Sequence, residues 1–294
     1  MLRLKTTYLF SMLYLFLGLS LNAGLLDQSK LPGGIIVHIN CGNGQSSLAL
    51  KKDNFILQGL DTDWQNVQDS RNLFLAKGTS AEMSAELFDG KKLPYATNMI
   101  NIIVVTGKSA LSETEILRVL CPLGEAYIGK KKIQKPWPDN MDDWKHFLNK
   151  ADNNAVSQDT RVNMPRTVNW INGPKWTRSH EELSSISGAV TSGGRLYYIV
   201  DQAPNAYISF EPIWKLVARD AFNGIKLWEK DIPVWNDHMR HFRSGPAHLP
   251  RRLAATEEHL YVTLGLDAPL AKIDGKTGQV IQKYKDTEWT EEVI

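Results

Sequence analysis

Apolar positions along this chain follow two different rhythms, and the change falls near residue 136. Before it, continuous apolar runs alternate with stretches of helical spacing. Ile35, Ile36, Val37, His38 and Ile39 form a run with one polar member, the pattern of a strand covered on both faces. Further strands are predicted over residues 55–60, 85–88, 99–105 and 125–128. Helical sequence starts at Leu48, covers residues 65–76, and runs from Ser112 to Cys121. Ser112, with Glu115 three residues on, reads as a capping box. This alternation argues for an open parallel sheet with right-handed crossovers. Pro136-Trp137-Pro138 then breaks the chain, and Asp139 is placed to cap a helix over residues 140–148. Met141, Trp144 and Leu148 would share one face of that helix. Beyond it, short β runs alternate with glycine turns, at residues 186–190, 196–200, 252–255 and 260–264.

One turn occurs twice in this second half. Leu216-Val217-Ala218-Arg219-Asp220-Ala221-Phe222-Asn223-Gly224 returns 54 residues later as Leu270-Ala271-Lys272-Ile273-Asp274-Gly275-Lys276-Thr277-Gly278. Each copy reads as strand, Asp-x-x-x-Gly turn, strand. The Asp side chain caps the turn's amides, and Gly supplies the positive φ that closes the hairpin. Leu196 and Leu260 are 64 residues apart, so about ten extra residues sit in the first cycle, between Gln202 and Trp214. Each cycle is in outline a four-stranded antiparallel blade, and a repeat of this length points to a propeller or solenoid. Two or three blades cannot close a ring of at least four. The expectation is therefore that these 294 residues are the front of a longer protein, with completion by another chain as the alternative.

The first residues add a compartment. Arg3 and Lys5 precede an apolar run over residues 8–21, followed by Ala23 and Gly24, which is the pattern of a secretory signal over residues 1–23. The run is short for a membrane span, and an uncleaved anchor is the alternative. The reading is an exported protein of the periplasm or cell envelope, touching a membrane only through this segment. Net charge is +2 and the basic pairs are scattered among acids, so no nucleic-acid footprint emerges. Cys41 and Cys121 lie in apolar segments and read as buried free thiols rather than as a disulfide.

In open α/β sheets, ligands sit beyond the carboxyl ends of the central strands. Gly42 and Gly44 follow the first strand and let the backbone approach a ligand. Asp61 follows the second strand, where a carboxylate can hold ribose hydroxyls, and Asp89 follows the third, where it can accept from an exocyclic amine. This layout resembles the class I S-adenosylmethionine-dependent methyltransferases. The resemblance rests on Val37-His38-Ile39-Asn40-Cys41-Gly42-Asn43-Gly44, Gln58-Gly59-Leu60-Asp61, Phe88-Asp89-Gly90 with Leu93-Pro94-Tyr95, and Leu117-Arg118-Val119-Leu120-Cys121-Pro122-Leu123-Gly124. It implies that Gly42, Gly44 and Asp61 touch the cofactor and Asp89 its adenine. The chain departs from the family at His38, where an acid is usual, and at Asn40 and Leu123, where glycines are usual. With an export signal and a cytosolic cofactor, these departures point to a retired site in which S-adenosylmethionine binding is vestigial. A retired site implies that Asp61→Ala leaves stability nearly unchanged.

The hairpin Asp220-Ala221-Phe222-Asn223-Gly224-Ile225-Lys226-Leu227-Trp228 resembles the repeat of pyrroloquinoline quinone (PQQ)-type β-propellers, in which the Trp docks between neighbouring blades. That superfamily includes quinoprotein dehydrogenases and structural scaffolds, so PQQ itself does not follow from the repeat. The whole chain resembles exported bacterial proteins that pair the two modules. The expected fold is thus a truncated Rossmann-like, methyltransferase-type α/β domain over residues 30–130, a linker with a short helix over 131–160, and incomplete all-β propeller blades over 161–294. The expected function is an exported binding or scaffold protein that meets protein partners through the propeller. An active methyltransferase and a PQQ-dependent oxidoreductase are the alternatives, and no catalytic residue is assignable. His238 and His241 have metal-like spacing, and Arg240, Arg243, Arg251 and Arg252 would suit an anion, but a hydrogen-bonded loop is the preferred reading and no metal is expected. His180, beside Glu181 and Glu182, is read as structural.

Overall fold

The computed structural model describes residues 26–152, 154–161, 164, 168–173, 185–205, 210–235 and 248–294, and divides the chain into two units, Met1–Pro136 and Trp137–Ile294. The expected signal segment, His180 with its two glutamates, and the stretch from Asp237 to Arg243 lie outside the described residues.

Six strands form one sheet in the first unit: β1 (Gly34–Ile39), β2 (Phe55–Asp61), β3 (Met83–Leu87), β4 (Ile100–Val105), β5 (Leu120–Ile128) and β6 (Lys131–Gln134). Their order is β3-β2-β1-β4-β5-β6. The first five run parallel, and β6 lies antiparallel to β5. Helices α1 (Gln45–Leu48), α2 (Trp64–Ala76) and α3 (Glu113–Val119) connect them. The order reverses between β1 and β4, which makes this a Rossmann-like, doubly wound domain with its switch point at the carboxyl ends of those two strands.

Two apolar layers explain the unbroken run in β1. Ile36 packs with Val67 and Phe74 of α2, whereas Val37 and Ile39 pack with Ile116 and Val119 of α3. Neighbours along a strand face opposite sides, so a strand buried on both must be apolar throughout. Each fully buried aliphatic side chain contributes about 1.5–3 kcal/mol. Ser112 caps α3 by accepting from the Glu115 amide at 3.1 Å. The reciprocal half of the expected box is not made, because the Glu115 carboxylate accepts from the Leu93 amide and from Arg118 instead.

Three local expectations change. The first helix ends at Leu48, where it was expected to begin, because the chain must turn back to enter β2. Strand β5 starts at Leu120 and kinks at Leu123, whose φ of 66° is a glycine-like value and whose amide donates to the Lys135 carbonyl. The chain also stays with the sheet past Lys130. Gly129, at φ 58°, reverses it, and β6 pairs along β5 with exposed Lys131 and Lys132 on its edge.

The second unit holds two antiparallel meanders. In one, β7 (Ile186–Ser192), β8 (Arg195–Asp201), β9 (Trp214–Asp220) and β10 (Lys226–Asp231) lie in sequence order. In the other, β11 (Leu253–Ala255), β12 (His259–Thr263), β13 (Leu270–Asp274) and β14 (Val280–Lys283) do the same. One core joins them, with Tyr197, Ile199 and Leu216 from the first sheet against Leu253, Leu260 and Ile273 from the second.

The repeated turn takes the same form twice. Asp220 Oδ1 accepts from the amides of Phe222 and Asn223, and Asp274 Oδ1 from those of Lys276 and Thr277. Gly224 and Gly278 follow at φ 76° and 72°. An indole lies over each glycine. Trp170 donates to the Ala221 carbonyl at 3.1 Å, and Trp228 donates to the equivalent Gly275 carbonyl, also at 3.1 Å. Trp170 therefore treats the first hairpin as Trp228 treats the second.

The helix expected over residues 140–148 does not form. Trp144 donates to Thr191 Oγ1 at 2.8 Å and its carbonyl accepts from the Thr191 amide at 2.7 Å, while the Lys145 carbonyl accepts from the Ala255 amide at 2.9 Å. An extended segment thus satisfies the free edges of β7 and β11, and those inter-segment bonds replace the intrahelical ones.

Candidate functional site

The loop after β1 decides what the first unit can hold. Asn40, Gly42 and Gly44 all have positive φ, at 58°, 57° and 84°. Asn is among the few other residues that tolerate this region, so Asn40 keeps a glycine-like backbone while adding a side chain. A Cβ on Gly44 would come within 3.0 Å of Ser70, so the approach of α2 requires glycine there. A Cβ on Gly42 would meet nothing within 4 Å, and that face of the loop is open.

Asp61 ends β2 and is buried. Its Oδ2 accepts from the Gly42 amide at 2.9 Å, and its Oδ1 accepts from the Asp63 amide at 3.0 Å and from Asn66 Nδ2 at 3.2 Å. The structure therefore brings Gly42 and Asp61 together, with Gly44 behind them against α2. Asp61 is also a structural acceptor in its own right, which argues against a nearly neutral Asp61→Ala. Nearby, burial pushes the Cys41 thiol up to about 11, which keeps it protonated at neutral pH. Cys121 is likewise a buried thiol outside any disulfide, and its Sγ accepts from Asn101 Nδ2 at 3.5 Å.

Asp89 stands apart. It is exposed, and its carboxylate accepts from the Lys91 and Lys92 amides at 2.8 Å each, which hold it below the usual carboxylate range. It caps its own turn. The backbone beside it does reach the site, since the Phe88 amide donates to the Asp61 carbonyl at 3.1 Å.

Two departures from the family pattern build a network across the switch point. Asn40 Nδ2 donates to the Thr106 carbonyl at 2.7 Å and to the Lys108 carbonyl at 3.0 Å. Thr106 follows β4, so one side chain spans the crevice between the carboxyl ends of β1 and β4. Beneath it, His38 Nδ1 lies 2.7 Å from Ser47 Oγ and Nε2 lies 3.2 Å from Thr106 Oγ1. The Thr106 hydroxyl donates to the Asn40 carbonyl at 2.8 Å, so it accepts from His38 Nε2–H, and Nδ1 in turn accepts from Ser47. This assigns a neutral imidazole with both nitrogens satisfied. Ser47, Asn66 and Thr106 were not singled out from sequence, and the signal that could have found them is His38 itself, a polar residue in an apolar run that demands buried partners.

Burial lowers the His38 pKa to about 4. Unfolded, the ring takes its proton near 6.5, so the unfolded chain binds more protons between those values and stability falls as pH drops from about 6.5 to 4. The loss approaches roughly 3 kcal/mol at the acid end. Urea denaturation at pH 7 and pH 4.5 should show it, and His38→Gln should flatten the dependence. An equally steep fall in the variant would show that His38 is not its source.

Among the described residues, no group of three His, Cys, Asp or Glu side chains could hold a metal ion. No protein-family model matches the chain, and no curated protein is similar to it. Solved structures similar to it include the [4+2]-cyclase SpnF, at 25% identity over 37% of this chain and 43% of the other, with a TM-score of 0.35. The YcgJ protein from Bacillus subtilis matches at 20% identity over 36% and 49%, with a TM-score of 0.33. Geranyl diphosphate methyltransferase in complex with SAM matches at 14% identity over 37% and 48%, with a TM-score of 0.34. The chain thus spans about half the length of the structures it matches.

S-adenosylmethionine, the cofactor implied by the resemblance, fits these residues at its ribose end only. Asp61 Oδ2 accepts one protein donor and keeps a lone pair, and the open face of Gly42 adjoins it. The crevice between the carboxyl ends of β1 and β4 is crossed by Asn40. No chemical step follows from this arrangement.

Proposed function

We propose that the chain is an exported binding or scaffold protein, in which a degenerate methyltransferase-like domain precedes blades of the PQQ-type β-propeller kind. The observation that carries the loss of catalysis is the Asn40 bridge to the Thr106 and Lys108 carbonyls, which fills the switch-point crevice with the protein's own side chain. The propeller reading is supported by two four-stranded meanders and by the twice-used docking of an indole on an Asp-x-x-x-Gly turn. The export reading rests on the basic and apolar pattern of residues 1–23. On this reading the partners are proteins met through the propeller, in the periplasm or cell envelope.

An active methyltransferase is the second reading, favoured by the free lone pair of Asp61 beside the open face of Gly42. Calorimetric titration of the whole chain with S-adenosylmethionine and S-adenosylhomocysteine separates the two. The expected result is no detectable heat from protein that circular dichroism shows to be folded. Micromolar binding of either compound would sink the retirement proposal and make the export signal the weaker inference.

A further inference from the structure

The β7–β10 and β11–β14 sheets share one register, so the same face of each can be compared. Val190 pairs with Tyr197 as Ala254 pairs with Tyr261, and Ile199 pairs with Leu216 as Thr263 pairs with Leu270. In the β7–β10 sheet this face meets the neighbouring sheet. Tyr197 and Leu216 are fully buried there, and the Tyr197 hydroxyl donates to the Gly275 carbonyl at 3.0 Å. In the β11–β14 sheet the same face turns away from the core. Tyr261 lies between Leu260 and Val262, and Leu270 precedes Ala271, all three of them core residues. Tyr261 and Leu270 therefore project from the opposite side, where both are only half-buried.

Two single segments, rather than a sheet, border this face. In one, the Lys145 carbonyl accepts from the Ala255 amide, and His146 and Asn149 exchange backbone hydrogen bonds beside it. In the other, the Tyr284 amide donates to the Leu270 carbonyl, Thr287 Oγ1 accepts from the Leu270 amide, and the Val293 amide donates to the Arg251 carbonyl. A cavity of about 470 Å³ lies here, with Ala254, Tyr261, Leu270, His146, Tyr284 and Val293 among its walls. Its walls are thus fixed by backbone hydrogen bonds.

The lining selects the ligand. No Asp, Glu, Lys or Arg side chain lines the cavity, so a charged group placed there would lose water without gaining a counter-charge. The hydroxyls of Tyr261 and Tyr284 have no partner among the described residues, and both keep accessible surface. Of the His146 ring, Nδ1 is enclosed and Nε2 stays accessible. Burial, with a smaller push from Lys145 and against Glu292, holds this imidazole below its usual range, so it is neutral at neutral pH. Tyrosine rings and aliphatic side chains make up the rest, and these surfaces pack well against an aromatic ring.

We propose that this cavity binds a small neutral phenol or aryl alcohol, whose oxygen accepts from Tyr261 as the Gly275 carbonyl accepts from Tyr197. The site lies wholly in the second unit and is independent of the cofactor question in the first.

Calorimetric titration of the whole chain with para-cresol, and with para-toluate as its charged match, tests the site. Para-cresol should bind saturably with a Kd of about 1 mM or below, and para-toluate about tenfold more weakly or worse. Tyr261→Phe keeps the ring and removes the hydroxyl, and should weaken para-cresol about five- to tenfold. Ala254→Leu puts a larger side chain into the cavity and should abolish saturable binding, with circular dichroism to show that the sheets are formed. A parent protein without saturable binding overturns the site and leaves this face to a further sheet or a protein partner. Equal affinity for the two probes, or a Tyr261→Phe variant that binds like the parent, overturns it as well.

Discussion

Trp228→Ala is expected to lower the unfolding free energy by about 3 kcal/mol, although Trp228 is only partly buried. The indole packs at the edge of the core, donates to the Gly275 carbonyl, and covers Gly278. Gly278→Ala should cost a similar amount for two separable reasons. Its φ of 72° strains an L-residue by about 1 kcal/mol, and its Cβ would stand 2.7 Å from the Trp228 ring. Overpacking of that kind adds about 1–3 kcal/mol. The double variant should therefore be more stable than the sum of the singles predicts, because without the ring the alanine methyl meets no obstacle. Urea denaturation of the four proteins, followed by circular dichroism, measures the cycle. Strict additivity would refute the docking of Trp228 on this turn.

Asp61→Ala is expected to cost about 3 kcal/mol with no ligand present. The carboxylate serves the half-buried Gly42 amide and Asn66 side chain and the amide of exposed Asp63, and each hydrogen bond lost costs about 1 kcal/mol. Asp61→Asn should recover little, because its amide nitrogen would face one of the same donors. A change below about 0.5 kcal/mol in either variant, read by urea denaturation, would show that these hydrogen bonds do not hold the loop.

Much of the fold was written locally. The run from Ile35 to Ile39 announces a doubly covered strand, and the Asp220 and Asp274 turns carry their own amide caps within three residues. What could not be read was set by distant partners. His38 and Asn40 look like simple losses of an acid and a glycine, yet their meaning lies in Thr106, 68 and 66 residues away. Asp61 and Gly42 were each legible as candidate site residues, but not as partners of one another. The spacing of Met141, Trp144 and Leu148 fits a helix face, and only the free edges of β7 and β11 decide against it.

That extended segment also sets an order of events during synthesis. Lys145 leaves the ribosome 110 residues ahead of Ala255, the amide its carbonyl will accept. At about 5–20 residues per second, the interval is roughly 6–20 s. Through it the Lys145 carbonyl lacks its final partner, and the helical spacing of Met141, Trp144 and Leu148 competes with the extended form until the edge of β11 is made. The second unit therefore closes late, when its last-made sheet returns to its first-made residues, and a chain halted before Ala255 would keep that seam open.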